Sequence, residues 1–397
     1  MTQAFLVGGV RTPVGRYGGG LAKVRADDLA ALVVAEAVRR AGLDPERVDE
    51  VILGAANQAG EDNRNVARMA VLLAGLPLHV PGHTVNRLCA SGLTAIANAA
   101  QAVKTGEADI VVAGGVESMT RAPWVMEKPS RAWAKPGQVV DTALGWRLVN
   151  PPMTTLDGGD ATLSLGECTE KLARIHSVSR EDSDEYAYRS QRLASEAWER
   201  GDFCSEVIPV DVGQRGTFDR DETVRPDTDL SALSALRPVF SADGVVTAGN
   251  ASPLSDGASA ILVASAAAVA DHGLQPRARI VGYAVAGVEP SLFGLGPAPA
   301  IRRLLSTHRV SLDDVDAVDI NEAFAAQVLA CERALGVDRE RLNPAGGAIA
   351  LGHPLGSSGS RILVSLLGHL ERTGRRYGIA SLCVGVGQGA AMLVERV

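Results

Sequence analysis

Short apolar runs alternate with longer amphipathic segments along most of the chain. Apolar side chains in residues 29–38 recur every three or four positions, which predicts a helix that Asp27 or Asp28 caps and that ends near Gly42. The continuous apolar run at residues 108–115 is typical of a strand buried in a parallel sheet. The same criteria predict further strands at residues 4–7, 48–54, 83–86, 278–285, 315–320, 378–384 and 390–395, and further helices at residues 66–74, 93–103, 257–271, 298–308, 324–335 and 360–372. This alternation predicts the α/β fold class.

The pattern changes between residues 119 and 247. Prolines interrupt this stretch, and it contains all 4 tryptophans of the chain. One long helix is predicted at residues 180–200, with Ser179 as its N-cap and Asp182 three residues later. We interpret residues 120–247 as a loop domain that covers a site. It is inserted in an N-terminal domain of residues 1–270, which a C-terminal domain of residues 271–397 follows.

The order of elements in the first half recurs in the second. A helix followed by residues 43–53 is matched by a helix followed by residues 312–320. Ser91 and Gly92 precede a helix that a strand follows, and Ser358 and Gly359 precede a helix and a strand in the same order. Two halves of like topology are therefore predicted, packed as one layered body in which their glycine-rich loops meet near a pseudo-two-fold axis.

Composition and charge exclude several classes of partner. The net charge is −7 and only 4% of residues are aromatic, which argues against binding to duplex or single-stranded nucleic acid. The N-terminus lacks a basic and apolar leader, and the longest apolar run, near residues 258–270, is too short to span a membrane. The 5 cysteines show no metal-binding spacing, so we expect no metal and a reducing cytoplasm.

Cys89 stands at the start of the predicted helix 93–103. The N–H groups and partial positive charge of a helix N-terminus favour a thiolate over a thiol. The alternative is a small core residue between Leu88 and Ala90. This stretch alone does not decide between a nucleophile and a packing residue.

Three polar loops of the second half offer partners for Cys89. Asn321 follows a strand, His353 lies among glycines before a proline, and Cys383 precedes Gly385 in a glycine-rich stretch. Two thiols, an imidazole, a carboxamide and free amides are the groups needed for acyl transfer through a thioester. Each alone is also explained by core packing or a turn. We interpret the remaining cysteines and histidines as structural: Cys168, Cys204, Cys331, His79, His83, His176, His272, His308 and His369.

Five ordered motifs carry a resemblance to a known family. They lie at residues 85–92, 114–119, 321–324, 352–354 and 383–389. Together they resemble the thiolase family of acetyl-CoA acyltransferases, over nearly the whole chain. The resemblance implies a duplicated, five-layered αβαβα fold with an inserted loop domain. It also implies that coenzyme A is a substrate, that no metal or redox cofactor is needed, and that the protein is a homodimer or homotetramer.

The resemblance also implies catalytic roles. Cys89 is similar to the nucleophile that accepts the acyl group, and His353 resembles the base that activates it. Asn321 resembles the residue that holds a water in the first oxyanion hole. Cys383 resembles the acid and base that exchanges a proton with the α-carbon of acetyl-CoA. The N–H groups of Cys89 and Gly385 resemble the second oxyanion hole.

Further positions match the CoA-binding residues of the family. Arg225 stands where the family contacts the nucleotide of CoA, and an arginine suits a phosphate on physical grounds. The other residues that the resemblance assigns to CoA binding are Leu236, Phe240, Ala248, Ser252, Ala323 and Phe324.

The substrate is less directly indicated. Ser164-Leu165-Gly166 replaces a His-Met-Gly that biosynthetic members carry, and Pro253 replaces a common glycine. Residues 54–70, 121–126 and 383–389 resemble the 3-oxoadipyl-CoA thiolases of aromatic-acid degradation. We therefore expect cleavage of a 3-oxoacyl-CoA by CoA. The alternatives are condensation of acetyl-CoA to acetoacetyl-CoA and, more remotely, a CoA-binding protein of this fold without activity. A decarboxylating ketosynthase would need two catalytic histidines, and only His353 lies in a motif.

Overall fold

A mixed ten-stranded sheet runs through the molecule. The computed structural model describes residues 3–57 and 60–397. The strands are β1 (Ala4–Arg11), β2 (Gly15–Arg16), β3 (Glu50–Gly54), β4 (Gly82–Val85), β5 (Ile110–Ser118), β6 (Trp124–Met126), β7 (Val139–Asp141), β8 (Val210–Asp211), β9 (Thr217–Phe218), β10 (Ser255–Ser265), β11 (Pro276–Gly287), β12 (Ala317–Ile320), β13 (Tyr377–Val384) and β14 (Gln388–Arg396). The order in the large sheet is β12-β13-β14-β11-β1-β10-β5-β3-β4, with β2 paired to β10.

The sheet consists of two similar halves joined at one pair of strands. Strand β3 is parallel to β5 in the first half, and β12 is parallel to β13 in the second. In both halves the next strand, β10 or β14, is antiparallel. The halves meet where β1 pairs with β11, at Phe5 opposite Arg279 and Leu6 opposite Ala278. The repeat read from the sequence is therefore present in the strand pairing.

Helices cover both faces of each half. They are α1 (Ala26–Arg40), α2 (Val66–Leu73), α3 (Ser91–Thr105), α4 (Leu165–Ile175), α5 (Arg180–Glu199), α6 (Leu230–Ser234), α7 (Ala266–Asp271), α8 (Pro297–His308), α9 (Ala325–Leu335), α10 (Ala348–Leu351) and α11 (Leu355–Thr373). Helices α3 and α11 share one apolar core with strands of both halves. The first half packs α1 and α2 on its outer face, and the second packs α8 and α9. The two halves of the sheet form two separate layers, with α3 and α11 between them and the other helices outside. The resulting order helix, sheet, helix, sheet, helix confirms the five-layered α/β fold.

The two central helices pack closely at glycines. A Cβ atom on Gly92 would lie 2.7 Å from the carbonyl oxygen of Gly356, and one on Gly359 would lie 2.4 Å from the backbone nitrogen of Leu93. Only glycine allows such an approach between backbones. Because the contact is near the first residues of α3 and α11, the loops before both helices are brought together at the same end of the molecule.

The prediction of a helix over residues 257–271 is wrong. Residues 255–265 form β10, and only the last six residues are helical. The alanines favour a helix when taken alone, but the strand lies in the middle of the sheet and is buried along its whole length. Its small side chains let α11 approach, and the hydroxyl of Ser259 lies within 2.8 Å of those of Ser357 and Ser360. Packing on both faces overrides the local preference.

Two helix starts also differ from the prediction. Helix α1 has Arg25 as its N-cap, without a side-chain cap, and Asp27 instead forms an ion pair with Arg25. Helix α11 begins at Leu355 rather than residue 360. Its glycine- and serine-rich first turns resemble a loop in sequence, but they are helical because small residues fit the crossing with α3.

The stretch from residue 119 to 247 contains more regular structure than the sequence indicated. The helix predicted at residues 180–200 is α5, and its capping box between Ser179 and Asp182 is confirmed. Helices α4 and α6 and the two-stranded sheets β6-β7 and β8-β9 are additional. Nowhere in residues 3–57 and 60–397 is a helix both long and apolar enough to cross a membrane.

Candidate active site

Cys89 lies in a single 3-10 turn, Leu88–Ala90, immediately before α3. Leu88 has a positive φ of 46°, an unusual backbone conformation for a residue other than glycine. The side chain of Asn86 stabilises this turn by accepting a hydrogen bond from the Leu88 N–H at 2.8 Å. Cys89 is buried and borders a cavity. It therefore lies in a strained turn between the central apolar core and the cavity.

Burial raises the pKa of the Cys89 thiol to about 11. The backbone N–H of Gly385 lowers this pKa by hydrogen bonding to the sulfur, but burial is the larger effect. The expectation that the helix N-terminus favours a thiolate is therefore wrong for the resting site. The thiol is protonated at neutral pH and needs a base to become a nucleophile.

His353 lies directly before the N-cap residue of α11. Its Nδ1 lies 2.6 Å from the hydroxyl of Ser358, which donates its own hydrogen to the carbonyl of Pro354 at 2.9 Å. Nδ1 must therefore carry the ring proton, and Nε2 presents a lone pair. Burial, with a smaller effect from the charge of Arg361, lowers the pKa of His353 to about 3. The imidazole is neutral, as a general base must be.

Asn321 lies beside the free nitrogen of His353. Its Nδ2 is 3.3 Å from Nε2 of the histidine. Its Oδ1 is buried and has no hydrogen-bond partner among the described residues. A buried polar atom without a partner is costly, and such atoms are concentrated at functional sites. Asn321 and His353, two residues of the predicted site, are thus in direct contact.

The loop that carries Asn321 is anchored through Glu322. The buried carboxylate accepts hydrogen bonds from the hydroxyls of Tyr186 at 3.0 Å and Ser190 at 2.6 Å, both on α5. It also accepts from the amide of Asn343 at 3.0 Å and the N–H of Ile349 at 3.1 Å. The inserted region therefore fixes the position of the catalytic loop.

Cys383 is fully buried in β13, one residue before its end. Burial raises the pKa of its thiol well above the usual range, and the nearby Cys89 raises it further. In the following turn Gly385 lines the same cavity as Cys89, and Val386 adopts a positive φ of 62°. The turn is tied to the first half by a 3.1 Å hydrogen bond from Arg87 to Gln388.

The cavity beside Cys89 encloses about 270 Å³. Most of its wall is apolar, and much of that wall comes from residues 142–147 and 161–168 of the inserted region. The lining residues besides Cys89 and Gly385 are Ala56, Asn57, Leu88, Glu117, Met119, Ala122, Thr142, Ala143, Leu144, Gly145, Trp146, Arg147, Ala161, Leu163, Ser164, Leu165, Cys168, Pro290, Leu355 and Val386. Ser164 caps α4 in a capping box with Glu167, so its hydroxyl is already engaged.

Three of the predicted CoA-binding residues lie near the catalytic loops. Ala323 and Phe324 belong to a small apolar cluster with Cys383 and Cys168. Ser252 donates its backbone N–H to the carbonyl of Ala323 at 3.0 Å. This places the segment before β10 directly against the loop after β12.

The other predicted CoA-binding residues are more exposed. Leu236 packs at the position of Gly249, and Phe240 lies over Gly166 at the start of α4. Ala248 is exposed on the same segment as Ser252. Arg225 lies apart from them, in a separate hollow against α5, where its backbone N–H donates to the side chain of Gln191 at 2.8 Å.

Two residues near the site escaped the sequence reasoning. Glu117, in the 114–119 motif, accepts the N–H groups of Ala56, Asn57 and Gly356, and so joins the loop after β3 to the start of α11. Burial raises the pKa of its carboxyl to about 7. The sequence indicated Ser358 only as part of the internal repeat. Its contact with His353 could not be predicted from the distance between the two residues along the chain. Within the described residues, no three His, Cys, Asp or Glu side chains are placed to hold a metal ion.

Comparisons with known proteins match nearly the whole chain to thiolases. The model "Thiolase, N-terminal domain" matches residues 4–267, and "Thiolase, C-terminal domain" matches residues 274–396. The 3-oxoadipyl-CoA/3-oxo-5,6-dehydrosuberyl-CoA thiolase of Escherichia coli (strain K12) is 52% identical over 404 residues, covering 100% of both chains. The beta-ketoadipyl-CoA thiolase of Pseudomonas aeruginosa is also 52% identical, over 401 residues, covering 100% of this chain and 99% of that one.

Solved structures show the same architecture. The acetyl-CoA acetyltransferase of Bacillus anthracis superposes with a TM-score of 0.94 at 42% identity, covering 100% of this chain and 99% of that one. Sequence and structure thus match these relatives at full length. The chain is an acyltransferase that belongs to the thiolase family.

Proposed function

We propose that this enzyme cleaves 3-oxoadipyl-CoA with CoA to give succinyl-CoA and acetyl-CoA. The observation that carries the proposal is the 52% identity, at full length, to thiolases named for this substrate. The resemblance of residues 54–70 and 121–126 to the same group supports it. Thiolases use CoA and acyl-CoA substrates.

In the first step, Cys89 attacks the 3-keto carbon. His353 accepts the thiol proton at Nε2, since this atom is free of a proton in the resting site. The bond between the α- and β-carbons breaks, leaving a succinyl thioester on Cys89 and the enolate of acetyl-CoA. Cys383 protonates this enolate, a role that its raised pKa supports because the thiol is protonated at rest.

In the second step, CoA takes the succinyl group. The imidazolium formed in the first step returns its proton to the Cys383 thiolate, which leaves His353 neutral again. The imidazole then accepts the proton of the CoA thiol, and the CoA sulfur attacks the thioester carbonyl. Cys89 is released as a thiolate and recovers a proton from the imidazolium. The two steps divide one difficult cleavage between a covalent intermediate and its transfer.

Two sets of donors are proposed to stabilise the developing oxyanions. Nε2 of His353 and a water held by Asn321 form the first, a role that the unpaired Oδ1 of Asn321 supports. The N–H groups of Cys89 and Gly385 form the second, supported by the bond from Gly385 to the Cys89 sulfur. Preorganised donors of this kind are worth about 3 kcal/mol each in other enzymes.

CoA is proposed to lie along the inserted region, and no metal or redox cofactor takes part. Its nucleotide is assigned to Arg225, and the rest of the molecule to Leu236, Phe240, Ala248, Ser252, Ala323 and Phe324. The position of Ser252 against Ala323 supports a continuous path toward Cys89.

We propose that the enzyme is a cytoplasmic homodimer or homotetramer. Fully exposed Trp133 and largely exposed Trp124 in the inserted region support a further protein contact there. The free state of all five cysteines agrees with a reducing compartment.

Condensation of two acetyl-CoA molecules to acetoacetyl-CoA is the second candidate. The likeness to the Bacillus anthracis acetyl-CoA acetyltransferase favours it. The same side chains serve either direction, because each step is reversible. A member of the fold that only binds CoA is disfavoured by the presence of Cys89, His353 and Cys383 together.

The test is a side-by-side measurement of thiolysis. We expect kcat/KM to be highest for 3-oxoadipyl-CoA, lower for 3-oxohexanoyl-CoA, which ends in a methyl group, and lowest for acetoacetyl-CoA. A higher kcat/KM for acetoacetyl-CoA, together with measurable condensation of acetyl-CoA, would instead establish the second candidate.

A further inference from the structure

The cavity beside Cys89 contains one basic side chain, Arg147. It is the only lysine or arginine among the described residues that line this cavity. Most of the surrounding wall is apolar, including Leu144 and Leu165. The residue is exposed to solvent, so its guanidinium, which is always charged, reaches the cavity without being desolvated in the absence of substrate.

Arg147 has little to bind within the protein. Its Nη1 donates to the carbonyl of Thr142 at 3.2 Å. No carboxylate of the described residues lies within the 4.0 Å of an ion pair, so four of its five N–H donors remain free. The single contact holds the side chain to the cavity wall, since Thr142 itself is buried and accepts a hydrogen bond from Asn57 at 2.8 Å.

The acidic residue of the same wall is not its partner. Glu117 accepts hydrogen bonds from three backbone N–H groups, those of Ala56, Asn57 and Gly356. Its oxygens are therefore engaged with the backbone of loops around Cys89. Arg147 thus lines the cavity without a carboxylate partner among the described residues.

We propose that Arg147 forms a subsite for the distal carboxylate of a dicarboxylic acyl chain. The proposal rests on the proposed function, because it assigns the feature that separates 3-oxoadipyl-CoA from substrates ending in a methyl group. A guanidinium matches a carboxylate in shape and can donate two parallel hydrogen bonds to it. In the covalent intermediate, the same arginine binds the free carboxylate of the succinyl group on Cys89.

The size of the cavity fits this assignment. In a succinyl thioester three C–C bonds of about 1.5 Å each separate the reacting carbonyl carbon from the distal carboxylate. A chain so short remains within one cavity of about 270 Å³ that both Cys89 and Arg147 line. In this arrangement the apolar wall contacts the two methylene groups of the succinyl chain, and Arg147 binds the carboxylate at its end.

The first experiment compares thiolysis of 3-oxoadipyl-CoA and 3-oxohexanoyl-CoA by the wild type and Arg147→Ala. We expect kcat/KM for 3-oxoadipyl-CoA to fall about 10- to 100-fold, and that for 3-oxohexanoyl-CoA to stay within about twofold. Arg147→Lys should recover part of the loss, because it keeps the charge without the planar fork. Arg131→Ala, an exposed arginine of the inserted region outside the cavity, is the matched control and should change neither value.

The second experiment separates the subsite from the proposed function. Succinyl-CoA and butyryl-CoA, which differ in the distal group, are compared as inhibitors of acetoacetyl-CoA thiolysis. Tighter inhibition by succinyl-CoA that Arg147→Ala abolishes supports the subsite, even if 3-oxoadipyl-CoA proves not to be cleaved and the proposed function fails. Cleavage of 3-oxoadipyl-CoA that is unchanged in Arg147→Ala, or an equal loss on both 3-oxo substrates, overturns the subsite and leaves the proposed function standing.

Discussion

The hydroxyl of Ser358 lies 2.6 Å from Nδ1 of His353, one turn into the helix that the histidine precedes. This contact sets the tautomer of the imidazole and turns Nε2 toward Asn321. The imidazole proposed as the base is therefore oriented by a hydroxyl of the helix that follows it.

Replacing Ser358 with alanine should misorient the base while leaving the fold intact. We expect kcat to fall about 10- to 100-fold with little change in KM, because small misplacements of a catalytic group have effects of this size. Ser357→Ala is the matched control, since its hydroxyl contacts Ser259 rather than the histidine. A parallel rise in KM, or an equal loss in the control, would contradict the positioning role.

Cys89→Ala should abolish thiolysis but retain CoA binding. The variant removes the only atom that carries the acyl group, whereas the CoA contacts assigned to Arg225 and Ser252 lie elsewhere. Steady-state thiolysis and calorimetric titration with CoA check the two halves of this statement. Substantial thiolysis of several 3-oxoacyl-CoA substrates by the variant would refute the mechanism.

Cys383→Ser should affect the two chemical steps unequally. Exchange of the α-protons of acetyl-CoA with deuterated solvent should slow more than acylation of Cys89 by a thioester, because the replaced thiol acts on the α-carbon. Exchange is followed by NMR and acylation by mass spectrometry of the intact protein. Equal losses in both measurements would show that the assigned division of roles is wrong.

The acid stability of the protein should depend on His353. Burial lowers the pKa of this histidine to about 3, against about 6.5 in an unfolded chain. Between these values the unfolded chain binds one more proton than the native state, so the free energy of unfolding falls as the pH is lowered, by up to about 1.4 kcal/mol per pH unit.

The matched measurement uses His353→Asn. Denaturant unfolding between pH 4 and 7 should show a shallower loss of stability for the variant than for the wild type. The comparison removes the effect of Glu117, whose raised pKa acts in the opposite direction in both proteins. Parallel curves would mean that the histidine is not buried in its neutral form.

The crossing of the central helices should tolerate no side chain at Gly359. A Cβ there would lie 2.4 Å from a backbone nitrogen, so Gly359→Ala should lower the free energy of unfolding by about 1–3 kcal/mol. Gly368→Ala on the same helix meets only the ends of the Arg372 and Arg277 side chains and should be neutral or stabilising. Thermal and denaturant unfolding distinguish the two, and similar values would argue against a close crossing.

Much of the fold could be predicted because the apolar patterns of β5 and α1 match their burial. Strand β10 was mistaken for a helix, since an alanine-rich run buried on both faces has no period that separates the two. The residues proposed as catalytic were identified through loops rich in glycine. Their protonation states could not be predicted, because the pKa of Cys89 depends on its burial, and the neighbouring sequence does not show how deeply it is buried. Arg147 was missed because the sequence does not show which side chains line the cavity or that no carboxylate of the described residues pairs with this arginine.

The numerical offset that aligns Ser91 with Ser358 also aligns Asn86 with His353 and Cys89 with Gly356. The residues proposed as the nucleophile and the base thus precede equivalent helices, α3 and α11, in the two similar halves. A symmetric pair of such units would carry the same residue at both entrances. Joining them in one polypeptide lets each entrance specialise, one keeping the thiol and the other the imidazole. As a consequence, neither half on its own contains both the thiol of Cys89 and the imidazole of His353.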